Sequence, residues 1–225
     1  MSATILSPDT VASDCTPAQR VTRALLGYGV LAGPVYVTTS VVQALVHDGF
    51  DLTRNAWSQL AAGPQGWIQM ANLMLSGAMV IAFAVGLHRA GPSRWAPRLV
   101  AVYGLGLVAS GLLVADPGAG YPVGVPAPAV PTWHGIGHFV AGGIGFTALV
   151  VATFVLARSF ARSGARRLAW WSRITGIGFA AAFVGMSSGN TVPAVILTFT
   201  AAVIAVWGWL AAVAVHSYRS VTLTA

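Results

Sequence analysis

The chain contains no lysine and no glutamate, so its twelve basic residues are all arginines and its five acidic residues all aspartates. Only 8% of the 225 positions carry charge, while 56% are hydrophobic. A water-soluble domain of this length needs far more charge to cover its surface, so the composition points to a chain solvated by lipid. The single cysteine, Cys15, excludes an internal disulfide and any cysteine-built metal centre. No lipid-attachment pattern surrounds it, and residues 1–19 hold no basic residue to open a signal peptide. They read as a polar, disordered cytoplasmic tail.

What is present is a ladder of six apolar runs, near residues 24–46, 67–87, 99–115, 134–157, 168–188 and 193–215. Each approaches the roughly 20 residues that a helix needs to cross a bilayer core. Eleven arginines fall on one side of this ladder and only Arg54 on the other. The positive-inside bias then places both termini in the cytoplasm. The predicted fold is all-α: a polytopic membrane protein with six transmembrane helices in one bundle over residues 20–219, followed by a short cytoplasmic tail, 220–225. The multi-pass chain is assigned to the cell inner (plasma) membrane, with the lipid bilayer as its first partner. The net charge of +7 does not read as nucleic-acid binding, because the arginines are spread over short inter-helix segments. Oligomeric state is left open by the sequence.

Small residues spaced four apart mark the expected helix contacts: Gly106 with Ser110, Ala141 with Gly145, and Ala181 with Gly185 and Gly189. Pro34 should kink the first span without ending it. Two long segments lie on the outer side. In 47–66, residues 52–62 predict one short interfacial helix with Asp51 as its N-cap. The segment 116–133 carries five prolines and predicts an extended strap.

Polar residues gather in the outer halves of the spans. Gln43 and His47 stand one helical turn apart, as do His134 and His138, and Gln69, Asn72 and Ser76 share a face. Polar faces are costly against lipid and should turn towards one another. The reading is an outward-opening polar pocket walled by spans one, two and four, with Asp116 at its mouth. Pocket or ligand candidates are Gln43, His47, Asp51, Arg54, Ser58, Gln69, Asn72, Ser76, Asp116, His134 and His138. The bland alternative is interhelical hydrogen-bond glue, with Asp51 only a cap.

His134-x-x-x-His138 could grip one metal ion from one helical face, with Asp116 and His47 completing a zinc-type site. The pattern lacks the glutamate of the familiar zinc-protease helix. No cofactor is established by the sequence, and zinc is the one it would admit. Two ligands on one helical face cannot bracket a haem iron. Ser58 and Ser76 sit in no nucleophile-elbow sequence. No ring of charge or filter-like loop supports an ion channel. Catalytic residues are therefore unassigned. The leading expectation is binding or transport of a lipid or small amphiphile. A metal-dependent hydrolase at the outer membrane surface and a structural accessory subunit are the alternatives.

The outer segments also resemble the two signatures of a bacterial and archaeal membrane family, domain of unknown function 998. The first runs through His47, Phe50-Asp51, Ser58, Leu60, Gly63-Pro64-x-Gly66-Trp67-Ile68-Gln69, Asn72, Gly77 and Gly86-Leu87. The second is Ala115-Asp116-Pro117, Gly120-x-Pro122-x-Gly124-x-Pro126, His134-Gly135-x-x-His138 and Phe146. Leu73 stands where the family frequently has phenylalanine. The resemblance implies six membrane helices and no chemistry. A distant likeness to zinc membrane hydrolases built on Ser, Asp and three His is analogy only, since those have seven helices.

Overall fold

A computed structural model describes residues 16–91, 93–189 and 192–223. Among them the chain is all-helical. Six long helices follow in order: α1 (Pro17–Val46), α2 (Gly66–Ala90), α3 (Trp95–Leu112), α4 (Trp133–Arg162), α5 (Arg166–Ser187) and α6 (Pro193–Leu223). One short 3-10 helix, Trp57–Ala62, lies between α1 and α2. Five of the six long helices are long and apolar enough to cross a membrane, and α5 is the exception. Arg166 and Arg167 open α5, and Arg173 lies about two turns inside it, which lowers its mean hydropathy.

Each helix packs on its neighbours in sequence, and α6 closes back onto α1 and touches α2, so the six form a ring. The links α2–α3, α4–α5 and α5–α6 span only a few residues, which makes those neighbours antiparallel. The outside of the ring is greasy, with Leu31, Leu45, Leu105, Ile144, Ile174 and Val184 all exposed. Exposed Trp67 and Trp133 begin α2 and α4, while exposed Trp95 and Trp170 lie at the starts of α3 and α5. Tryptophan at helix ends is how membrane helices meet the headgroup layer.

Small residues bring the helices together. A Cβ on Gly106 would stand 2.9 Å from the Ala141 carbonyl oxygen and the Gly145 Cα, and one on Gly77 would strike the Gly104 carbonyl oxygen. The spacing of Gly106, Ala141 and Gly145 thus marks a true α3–α4 contact. In α5 the expected stripe does less: Gly185 has only Val195 nearby, and Gly189, with φ +75°, lies in the turn past the helix end. α1 runs unbroken through Pro34.

Two boundaries differ from the sequence reading. Of the expected N-terminal tail, residues 1–15 lie outside the described residues. Pro17 to Gln19 instead begin α1, held by a capping box in which Thr16 and Gln19 bond reciprocally. The helix expected over 52–62 is also only half there. Asp51 accepts from the Thr53 amide and hydroxyl at 2.8 and 2.7 Å, and the Asn55 side chain accepts from the Asp51 amide at 3.0 Å. Such local bonds compete with a helix, so residues 51–54 form turns and regular structure starts at Trp57. Trp57 and Leu60 are buried, so this short helix plugs the bundle instead of lying on a membrane surface.

Candidate functional site

The polar residues of α1 and α2 meet one another. Ser40, Gln43, Gln69, Asn72 and Ser76 are all buried. The Asn72 amide donates to the Tyr36 carbonyl at 3.1 Å, to Ser40 Oγ at 3.2 Å and to Gln69 Oε1 at 3.1 Å. Gln69 Nε2 donates to Ser40 Oγ at 3.2 Å, Gln43 Nε2 donates to Gln69 Oε1 at 3.0 Å, and Ser76 Oγ donates to Asn72 Oδ1 at 3.5 Å. Only Gln43 Oε1 in this group has no partner. These residues form a zipper between two helices, and none of them lines a cavity described below.

The cavity lies elsewhere in the ring. A chamber of about 300 Å³ is walled by α3, α4, α5 and α6, with Tyr36 of α1, Leu73 of α2 and residues 56–58 also lining it. Its wall is aromatic. The Trp207 ring lies 5.2 Å from Tyr36 and 6.1 Å from Tyr103, Trp57 lies 6.0 Å from Tyr36, and Phe146 meets Phe183 edge-on at 5.2 Å. No Asp or Arg lines it. A second cavity of about 530 Å³ is lined by Arg54, Ser58, Gln59, Asp116 and His138 among others. Ala56, Ser58, His138, Phe139 and Met186 line both spaces, so a polar vestibule and an apolar chamber share one neck.

His138 is the chemically best-defined group at that neck. Its Nδ1 lies 2.8 Å from the Leu113 carbonyl oxygen and 3.0 Å from that of Ser110, at the C-terminal end of α3. Carbonyl oxygens only accept, so Nδ1 carries a proton and donates to them, which leaves Nε2 as the ring nitrogen not tied to α3. His134, one turn earlier, is exposed and stacks on Trp133 at 3.5 Å. It lines neither the chamber nor the vestibule.

The outer segments fasten to each other at the vestibule. Asp116 accepts from the Thr132 amide at 2.9 Å and hydroxyl at 2.5 Å, while Thr132 caps α4 by accepting from the Gly135 amide at 3.1 Å. A Cβ on Gly135 would collide with the Asp116 carboxylate, which accounts for glycine after His134. Asn55 and Gln59 both donate to the Gly118 carbonyl at 3.4 Å. Tyr121 is buried, and burial holds its hydroxyl above the usual range and so protonated. It bonds His47 Nδ1 at 3.0 Å, leaving the buried His47 Nε2 without a partner. Asp51 is fully exposed, and the Thr53 hydroxyl and then the Thr53 amide hold its carboxyl below the ordinary range. Arg54 is exposed at the vestibule and adds a smaller pull on Asp51.

Of the sequence candidates, the structure brings Arg54, Ser58, Asp116 and His138 to one space. It puts Gln43, Gln69, Asn72 and Ser76 in the α1–α2 zipper, His47 beneath the strap, and Asp51 in an exposed turn. Among the described residues no three His, Cys, Asp or Glu side chains gather to hold a metal ion, so His47, Asp116, His134 and His138 do not fit zinc as a set. Sequence reasoning passed over the chamber's aromatics. Trp207 carried a signal, because it lies within an apolar run and away from the helix ends where membrane tryptophans usually anchor.

A family model described as a protein of unknown function, DUF998, matches residues 30–216. No curated protein and no solved structure matches this chain.

Proposed function

The chain belongs to this family, whose description names no activity, and from the geometry of its cavities we propose that it binds an amphiphile within the membrane. The observation that carries this reading is the neck at His138, where an apolar aromatic chamber meets a vestibule holding Arg54 and Asp116. An amphiphile has the same two halves: its tail occupies the chamber and its head meets the polar groups outside. His138 Nε2 and the Ser58 hydroxyl lie where the two halves join.

The accompanying topology is six spans with both termini in the cytoplasm of a cell whose plasma membrane holds the protein. The arginine asymmetry supports the orientation. Ring closure supports the sixth span: α5 is packed between α4 and α6, both apolar enough to cross. A helix inserted between two spans in a closed ring crosses with them, its Arg173 close enough to the helix start to reach the cytoplasmic headgroups.

Gly143 provides the test. It lines the chamber, and a Cβ there would meet nothing within 4 Å. Leucine at 143 therefore fills the space without forcing the backbone to move, and improves helix propensity. Protein purified in mild detergent is expected to carry co-purifying amphiphile, detected by mass spectrometry of an organic extract, and Gly143→Leu is expected to lose it while folding normally. Equal amphiphile content in the two proteins would overturn the proposal.

A further inference from the structure

The tryptophans of this protein divide by whether their N–H is used. Trp209, fully buried, donates its Nε1–H to Ser172 Oγ at 2.9 Å. Trp57 and Trp207 are 6% and 3% exposed, and neither Nε1 has a hydrogen-bond partner. Both of these indoles line the chamber. A buried N–H without an acceptor is costly and uncommon in folded proteins, and two around one cavity ask for a common cause. The hydroxyls of Ser110 and Thr200 line the same chamber and make no hydrogen bond among the described residues. Every one of these groups can donate, the indoles can do nothing else, and no formal charge lines the space.

We infer that the chamber recognises an uncharged, carbonyl-bearing portion of its ligand, whose oxygens accept from Trp57 and Trp207. The inference rests on the amphiphile reading and specifies which part of the molecule enters. A plain hydrocarbon tail satisfies none of the donors. A charged head would lose its hydration with no counter-charge in return. A carbonyl oxygen flanked by apolar surface meets both demands, and the aromatic wall offers flat faces against which a planar group stacks. Two membrane-soluble sources supply this chemistry: the ester of an acyl lipid and the ring of an isoprenoid quinone.

The experiment uses full-length protein in mild detergent and three radiolabelled probes: a fatty-acid methyl ester, a short-chain isoprenoid benzoquinone, and an alkane matched in length to the ester. Binding is the excess retained over the Gly143→Leu protein, whose filled chamber corrects for partition into micelles. One or both carbonyl probes are expected to bind about tenfold more tightly than the alkane, as two recovered hydrogen bonds allow. In Trp57→Phe and Trp207→Phe the ratio of carbonyl probe to alkane is expected to fall several-fold. That ratio is unmoved by a general loss of packing. Preference for the ester assigns acyl lipid, and preference for the benzoquinone assigns a quinone. If the alkane binds as well as both carbonyl probes, or the ratio survives in both tryptophan variants, the carbonyl inference fails while the amphiphile reading stands. If no probe shows any excess, the amphiphile reading itself fails.

Discussion

Two places in this bundle bury polar side chains among apolar helices, and they differ in what those side chains touch. Between α1 and α2, Ser40, Gln69 and Asn72 are consumed by one another over bonds of 3.1 to 3.3 Å. Around the chamber, the indole N–H groups of Trp57 and Trp207 have no hydrogen-bond partner, and the hydroxyl of buried Ser110 makes no bond among the described residues. The first arrangement returns hydrogen bonds for the desolvation of its groups and holds two helices in register. The second leaves that desolvation uncompensated by any group of the fold described. Intramembrane polarity by itself therefore does not mark a site; unsatisfied polarity beside a cavity does.

One substitution made in both places tests the distinction with the largest expected contrast. Ser40 Oγ accepts from Gln69 and Asn72 and donates to Gln69, so Ser40→Ala leaves buried amides short of partners. It is expected to destabilise the protein by about 2 kcal/mol, the sum of a few membrane hydrogen bonds. Ser110→Ala removes a hydroxyl of the same size, about as deeply buried but without a partner. It is expected to stay within about 0.5 kcal/mol of the parent, because no bond is lost. Unfolding in mixed micelles measures both. Equal losses would erase the difference between zipper and chamber.

Asp116 sharpens the comparison by showing that vestibule polarity is itself mixed. Its carboxylate is already held by Thr132, which also caps α4. Thr132→Val removes the cap and one bond to Asp116, and is expected to cost about 1 kcal/mol, the usual worth of an N-cap. The loss should be local. Amide exchange across residues 116–132 should quicken while α1 remains protected. Uniform quickening of both segments would mean that Thr132 supports the whole bundle and not the strap alone.

The run lengths of the sequence were enough to locate all six helices, because hydrophobic length is a strong signal where lipid is the solvent. Gly106, Ala141 and Gly145 were legible for a related reason: close backbone approach admits only small residues. The candidate site was half legible. Gln69, Asn72 and Ser76 do share a buried face, but spacing within one helix does not say whether that face meets a neighbour or a cavity. Here it meets α1. His134 and His138 illustrate the same limit. They stand one turn apart, yet one stacks on Trp133 in the open while the other is drawn inward by the carbonyls ending α3. The chamber's aromatics looked like ordinary span filler, since their unused N–H groups become visible only when the neighbours are known.

The smallest expected effect lies at the rim, where water competes with every polar contact. Asp51 is fully exposed, and its carboxyl is held below the ordinary aspartate range first by the Thr53 hydroxyl and then by the Thr53 amide. A depressed folded-state pKa contributes stability that is complete above the unfolded value and lost as pH falls through the folded one. The turn over 51–54 should therefore be indifferent to pH from neutrality down to the ordinary aspartate range, about 3.9, and loosen only below it. Thr53→Val removes the hydroxyl bond at 2.7 Å and keeps the amide bond at 2.8 Å. Its Asp51 should titrate at higher pH than in the parent yet still below a free aspartate, so the turn should loosen earlier on acidification. Carboxyl chemical shifts followed through an acid titration read the two midpoints directly. Coincident midpoints would show that at this exposed rim the hydroxyl bond does no more than water does, in contrast to the same type of bond inside the zipper.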